Sequence, residues 1–219
     1  MYRTVFLKIS IALYIFTFLA CADLERKPNL PYYNEANFTP IFLVDNDTVT
    51  KQITHQIANF SLTNQNNQNI TQKDISGKIH VANFIFSSCG SICPVMTKNM
   101  KMVEHEYKNN DEVVILSYSV TPWIDNVAKL KAYTQLNDID ATNWHFLTGS
   151  KAEIYKLARQ SYFAEEDLGF TKDSTDFLHT EHVLLIDKSK RIRGIYNGTL
   201  QLEMEQLIKD IAALKEEEN

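Results

Sequence analysis

One stretch constrains this chain of 219 residues more than any other: Ile79-His80-Val81-Ala82-Asn83-Phe84-Ile85-Phe86 runs through two serines into Cys89-Gly90-Ser91-Ile92-Cys93-Pro94. A mostly apolar run of strand formers this long predicts a strand covered on both faces. Pro94 suits the first turn of a helix, where its missing N–H is no loss. Met96, Met100 and Val103 then recur at helical spacing, which predicts a helix to about Asn109. Two cysteines therefore sit where a buried strand hands over to a helix.

The same pattern repeats downstream. Val113 to Val120 reads as a second buried strand, Val127 to Leu136 as an amphipathic helix, Trp144 to Leu147 as a short strand and Ala152 to Ala158 as a helix. Val183 to Ile186 and Ile192 to Tyr196 read as an antiparallel pair around the turn Asp187 to Arg191, with a helix from Leu202. Upstream, Ile57 to Leu62 and Asn69 to Lys73 flank a polar stretch and predict a hairpin. This β-α-β then β-β-α order predicts an α/β, thioredoxin-like fold with a central mixed sheet flanked by helices. A composition 44% hydrophobic and 22% charged fits one packed domain, expected over residues 55–219. Residues 22–54 are polar, carry Pro28, Pro31 and Pro40 and lack sustained periodicity, which predicts a flexible tether.

At the amino terminus Arg3 and Lys8 precede an apolar run from Ile9 to Ala20 and then Cys21, the order of a secretory signal over residues 1–21. The run is shorter than the ~20 apolar residues a spanning helix needs. Phe18-Leu19-Ala20-Cys21 resembles a bacterial lipobox, with Phe18 where Leu is usual and Leu19 where a smaller residue is usual. The expectation is an exported lipoprotein, anchored in the membrane through Cys21 and facing the periplasm or cell exterior; an uncleaved signal anchor is the alternative. Both place the body where disulfides are permitted. A net charge of −5 with scattered Lys and Arg gives no footprint for nucleic acid.

Cys89 and Cys93 then form a pair at a helix start, where unpaired N–H groups and the positive dipole end favour thiolate. Cys93 stands at that start, so its pKa is expected to be depressed. The Cys-x-x-x-Cys spacing is one residue wider than that of thioredoxin-type reductants, which lets the sulfurs diverge around an ion, while a disulfide stays open to them. Two soft thiolates select copper(I) or zinc over hard ions; one added imidazole gives a trigonal set that suits copper, whereas zinc normally seeks a fourth ligand. A purely structural disulfide would close only three intervening residues and stabilise little.

The segment Asn83 to Pro94 resembles the Sco/SenC signature, a strand followed by Cys-x-x-x-Cys-Pro. Trp144-His145-Phe146-Leu147-Thr148-Gly149 is similar to that family's Trp-x-Phe-Leu-Thr-Gly, and His179-Thr180 stands before a strand ending at Asp187, as the family's copper histidine does. The resemblance spans roughly His55 to Leu214. It implies copper ligands Cys89, Cys93 and His179, a redox-active Cys89/Cys93 pair, and a copper metallochaperone for the dinuclear copper centre of cytochrome c oxidase subunit II. A thiol-disulfide oxidoreductase that reduces the acceptor's cysteines is the alternative, and a thiol peroxidase is a weaker third.

Among six histidines, His55, His80, His105 and His145 are expected to fill structural positions. His179 is favoured over His182 because a loop residue can swing toward the helix start, whereas a strand residue has a fixed side. Thioredoxin-type enzymes place a cis-proline before the equivalent strand; the last proline here is Pro122, which leaves that slot open to an imidazole. Where the family commonly has Asp-Pro-x-x-Asp, this chain has Thr121-Pro122-Trp123-Ile124-Asp125 and keeps only the second acid, so the surroundings of the ligands are expected to differ. Trp123 reads equally as a partner contact or as packing.

Overall fold

The structure, a computed structural model, describes residues 29–164 and 180–217. Its strands are β1 (Tyr32–Tyr33), β2 (Pro40–Ile41), β3 (Ser61–Asn64), β4 (Asn69–Thr71), β5 (Ile79–Ile85), β6 (Val113–Ser119), β7 (Trp144–Thr148), β8 (His182–Ile186) and β9 (Ile192–Asn197). Its helices are α1 (Asn46–Gln52), α2 (Ile92–Tyr107), α3 (Val127–Leu136), α4 (Lys151–Lys156) and α5 (Gln201–Glu217). A single π turn, Leu157–Ser161, continues α4.

The strands form one nine-stranded sheet in the order β2-β1-β9-β8-β5-β6-β7-β3-β4. β5, β6 and β7 run parallel, and β8 and β9 return antiparallel beside β5. Parallel neighbours need crossovers, which α2 and α3 supply. Every residue of β5 and β6 is buried, because both faces of the sheet are covered. Ile79, Val81 and Ile85 face α2, α3 and α5, where Met96, Met100, Leu130 and Leu207 complete one core. Ala82 and Phe84 face the other side, where Ile154, Leu157 and Tyr162 complete the second. Alternation along each strand sets this division. The thioredoxin-like arrangement expected of the strand order is the observed one, and the hairpin pairs Leu62 with Ile70.

The segment read as a tether is docked over its described part. Tyr33 pairs with Ile192, and β2 adds a further strand outside β1. The buried Arg193 donates to the carbonyl oxygens of Pro31 (3.1 Å) and Leu30 (2.7 Å) and lies 3.9 Å above the Tyr32 ring. The same guanidinium pairs with Glu217 at 2.6 Å, which ties both ends of the described chain to β9. Packing therefore begins at or before Leu30, not at His55. Two-residue strands are too short to leave a periodic signal, and without them β9 would be an open sheet edge. Cys21 and the expected signal segment lie outside the described residues. No helix among the described residues is long and apolar enough to cross a membrane.

Candidate metal centre

β5 ends at Ile85 and α2 starts at Ile92, so six residues bridge the strand to the helix and carry Cys89. The Cys89 N–H donates to the Phe86 carbonyl at 3.0 Å, which turns the chain back toward the helix. Both cysteines are free thiols; Cys89 is half-buried, while Cys93, in the first turn of α2, is 6% exposed. Ser91, at the N-cap position, makes no side-chain cap. The N–H groups of Cys93, Ser91 and Ile92 and the Cys93 thiol each favour the thiolate form of Cys89.

The two thiols diverge electrostatically. Burial pushes Cys89 up, but the four hydrogen bonds outweigh it, so its pKa falls below the ordinary thiol value. Burial pushes Cys93 up to about 11, and the neighbouring Cys89 and Asp125 add to the rise against a backbone contact from Phe86. The depressed thiol expected at Cys93 is thus at Cys89 instead. A residue inside the first turn turns its side chain away from the helix's own free N–H groups and into the core, whereas the residue just before the turn faces those groups.

Asp125 holds this loop in place. Fully buried, it accepts from the Ser87 N–H (3.2 Å) and hydroxyl, from Ser119 Oγ (2.7 Å) and from Thr121 Oγ1 (3.0 Å). Lys129 lies 3.9 Å from it and donates to Ser88 Oγ, so the start of α3 is fastened to the cysteine loop. Sequence reasoning noted Asp125 as the surviving acid of a pair but missed this role. The available signal was the coincidence of Ser87, Ser119 and Thr121 at the ends of two adjacent parallel strands.

His179 lies outside the described residues. Next to it, Thr180 Oγ1 accepts from the His182 N–H at 3.1 Å. His182 opens β8 on the same side as Leu184 and Ile186, and its ring meets Phe38 edge-on at 5.7 Å. That side is opposite the one α2 covers. His80 is fully buried 3.2 Å from the Tyr162 hydroxyl, His145 bonds Asn64 at 3.2 Å, and His55 bonds the Ser161 carbonyl at 2.7 Å, so these three are structural. Among the described residues no group of three or more His, Cys, Asp or Glu is placed to hold a metal. A cavity of about 480 Å³ is lined by Ile92, the neighbour of Cys93, and by Thr180, Glu181, His182 and Tyr196 among others.

The SCO1/SenC family model matches residues 48–216, most of the chain. The chain belongs to the SCO1/SenC family. Sco proteins form a family of cytochrome c oxidase assembly proteins. A SCO1 homologue of Bacillus subtilis is 29% identical over 161 residues, 73% of this chain and 82% of that one. A SCO1/SenC family lipoprotein from Bacillus anthracis matches at 30% identity with a TM-score of 0.63, over 74% of this chain and 96% of that one. The copper-bound ScoI of Bradyrhizobium japonicum matches at 27% identity with a TM-score of 0.58, over 74% and 99%. The match begins inside α1, so the Sco family pattern includes part of the docked N-terminal segment.

Proposed function

We propose that this SCO1/SenC protein is a membrane-anchored copper metallochaperone, held at the membrane through Cys21, that carries copper on Cys89, Cys93 and His179 to cytochrome c oxidase subunit II. The observation that carries the reading is the pair of free thiols at the start of α2, one of them favoured as thiolate by three backbone N–H groups. Soft sulfur donors suit copper(I), and an imidazole completes a three-coordinate site. His179 directly precedes Thr180, which lines one cavity with Ile92, the neighbour of Cys93; His182 lines that cavity too, but its ring is engaged edge-on with Phe38, which supports His179 as the third ligand. Copper is the cargo and passes to the acceptor by stepwise exchange of these ligands. Tethering donor and acceptor to one membrane raises their effective concentration.

The opposed thiol pKa values favour a second reading on the same residues, reduction of a disulfide in the acceptor. The Cys89 thiolate attacks the acceptor disulfide, forming a mixed disulfide and releasing one acceptor thiolate. Cys93 then loses its proton and attacks Cys89, which closes a Cys89–Cys93 disulfide and releases the second. Two electrons pass from this chain to the acceptor.

Anaerobic copper titration of the reduced protein, read by metal content and absorption, tests the first reading, and reduction of a disulfide substrate by the same samples tests the second. Wild type is expected to bind copper tightly, His179→Ala to lose tight binding while keeping much of its thiol reduction, and Cys93→Ser to lose both. Absence of copper binding by wild type would remove the chaperone reading. Undiminished binding in His179→Ala would move the third ligand elsewhere.

A further inference from the structure

Three large apolar side chains stand in solvent on the segments that carry the cysteines or are bonded to their loop: Trp123 is 57%, Val95 44% and Ile124 39% exposed. Trp123 and Ile124 belong to the loop that Asp125 and Lys129 fasten to Ser87 and Ser88, so they travel with the cysteine loop. Val95 lies two residues beyond Cys93 on α2, with exposed Lys98 three residues on, along the same side of the helix. Trp123 is not packed into either core; its ring is covered only in part, by Lys151, whose Nζ sits 4.8 Å from the centroid.

The charge around these residues runs against that of the whole chain. The protein carries a net charge of −5, yet residues 86–98, 120–134 and 149–152 hold Lys98, Lys129, Lys131 and Lys151 against one acid, Asp125, which is fully buried. The next acid in sequence, Glu153, is engaged by the Ser61 N–H at 2.9 Å. An apolar centre with a tryptophan, bordered by cations, has the composition of a docking face.

We infer that Trp123, Ile124 and Val95, bordered by Lys98, Lys129 and Lys151, form the face on which the copper acceptor docks, and that the acceptor presents acidic groups around an apolar contact. The inference rests on the chaperone reading, which requires an acceptor to approach the sulfurs within bonding distance. The lysines speed encounter with an acidic partner, and Trp123 holds the complex once it forms.

The test follows copper transfer from the full chain, loaded with copper, to the copper-free soluble domain of cytochrome c oxidase subunit II. Trp123→Ala and the double variant Lys98→Glu/Lys151→Glu are each expected to keep full copper content and to lower the second-order transfer rate at least about tenfold. Added salt is expected to slow wild type and Trp123→Ala but to leave the double variant's rate nearly flat. Wild-type rates in both variants would overturn the inference while leaving the chaperone reading intact. So would an equal loss in Lys209→Glu, on α5 beside the far end of α2, where Tyr107 donates to the Ile208 carbonyl, because the effect would then come from overall charge. A wild-type dimer in sedimentation that Trp123→Ala abolishes would assign the face to a second copy. No transfer by wild type would remove the chaperone reading and the docking face with it.

Discussion

Cys89 and Cys93 carry the same functional group four positions apart, and their surroundings send them in opposite directions. Cys89 faces the free N–H groups of a helix start; Cys93 is packed under that helix. Alkylation of the reduced protein by iodoacetamide across pH should label Cys89 first, with a midpoint below the ordinary thiol value, and Cys93 only toward about 11. Peptide mapping that found Cys93 labelled first would contradict the assignment. Asp125 acts one step back from the sulfurs. Asp125→Ala leaves the Ser87 N–H and three hydroxyls, those of Ser87, Ser119 and Thr121, without their acceptor, and should cost about 3–5 kcal/mol in urea unfolding. Asp125→Asn keeps one acceptor oxygen and should cost less, about 1–2 kcal/mol. A change within ~0.5 kcal/mol of wild type for the alanine variant would deny Asp125 its fastening role.

The elements divide into those that announce themselves and those that do not. β5, β6 and α2 are long, regular and buried, and their residues repeat at the strand or helix period. β1, β2 and α1 lie in a proline-bearing polar stretch; Arg193 and β9 hold the start of this stretch, β2 pairs with β1, and Val49 and Ile53 pack on Tyr32. A chain beginning at His55 should therefore lose about 1–3 kcal/mol in urea unfolding, because Arg193 loses the Leu30 and Pro31 carbonyls and the Tyr32 ring and β9 is left as an open edge. Its copper stoichiometry should be unchanged: Ile192 pairs with Ile186 and Ile186 with His80, at the opposite end of β5 from the cysteines. Equal stability of the two chains would make the N-terminal segment a tether after all.

Across the whole molecule, the double-sided core sets how the protein meets acid. His80 lies at its centre within a chain of hydroxyls, 3.2 Å from Tyr162, which is 2.9 Å from Tyr118. Burial, with a lesser push from Lys190, lowers its pKa to about 3. Because the folded imidazole resists a proton that the unfolded one accepts below about 6.5, stability is full above that pH and is lost as pH falls toward about 3. The slope reaches about 1.4 kcal/mol per pH unit. Urea midpoints between about pH 4 and 7 should fall less steeply for His80→Asn than for wild type; parallel slopes would remove His80 as the cause.

Local pattern alone determined the succession of strands and helices from β3 onward, the helix that follows the cysteines and the residue types able to hold a soft metal, because periodicity and a Pro-marked helix start depend only on near neighbours in sequence. Which thiol is acidic, that Asp125 fastens three segments and that the N-terminal stretch is docked were decided by tertiary structure. Each depends on burial and on partners tens of residues away, as with Ser87 and Asp125 or Leu30 and Arg193. Desolvation and buried charge pairing have no expression along a chain until it is folded.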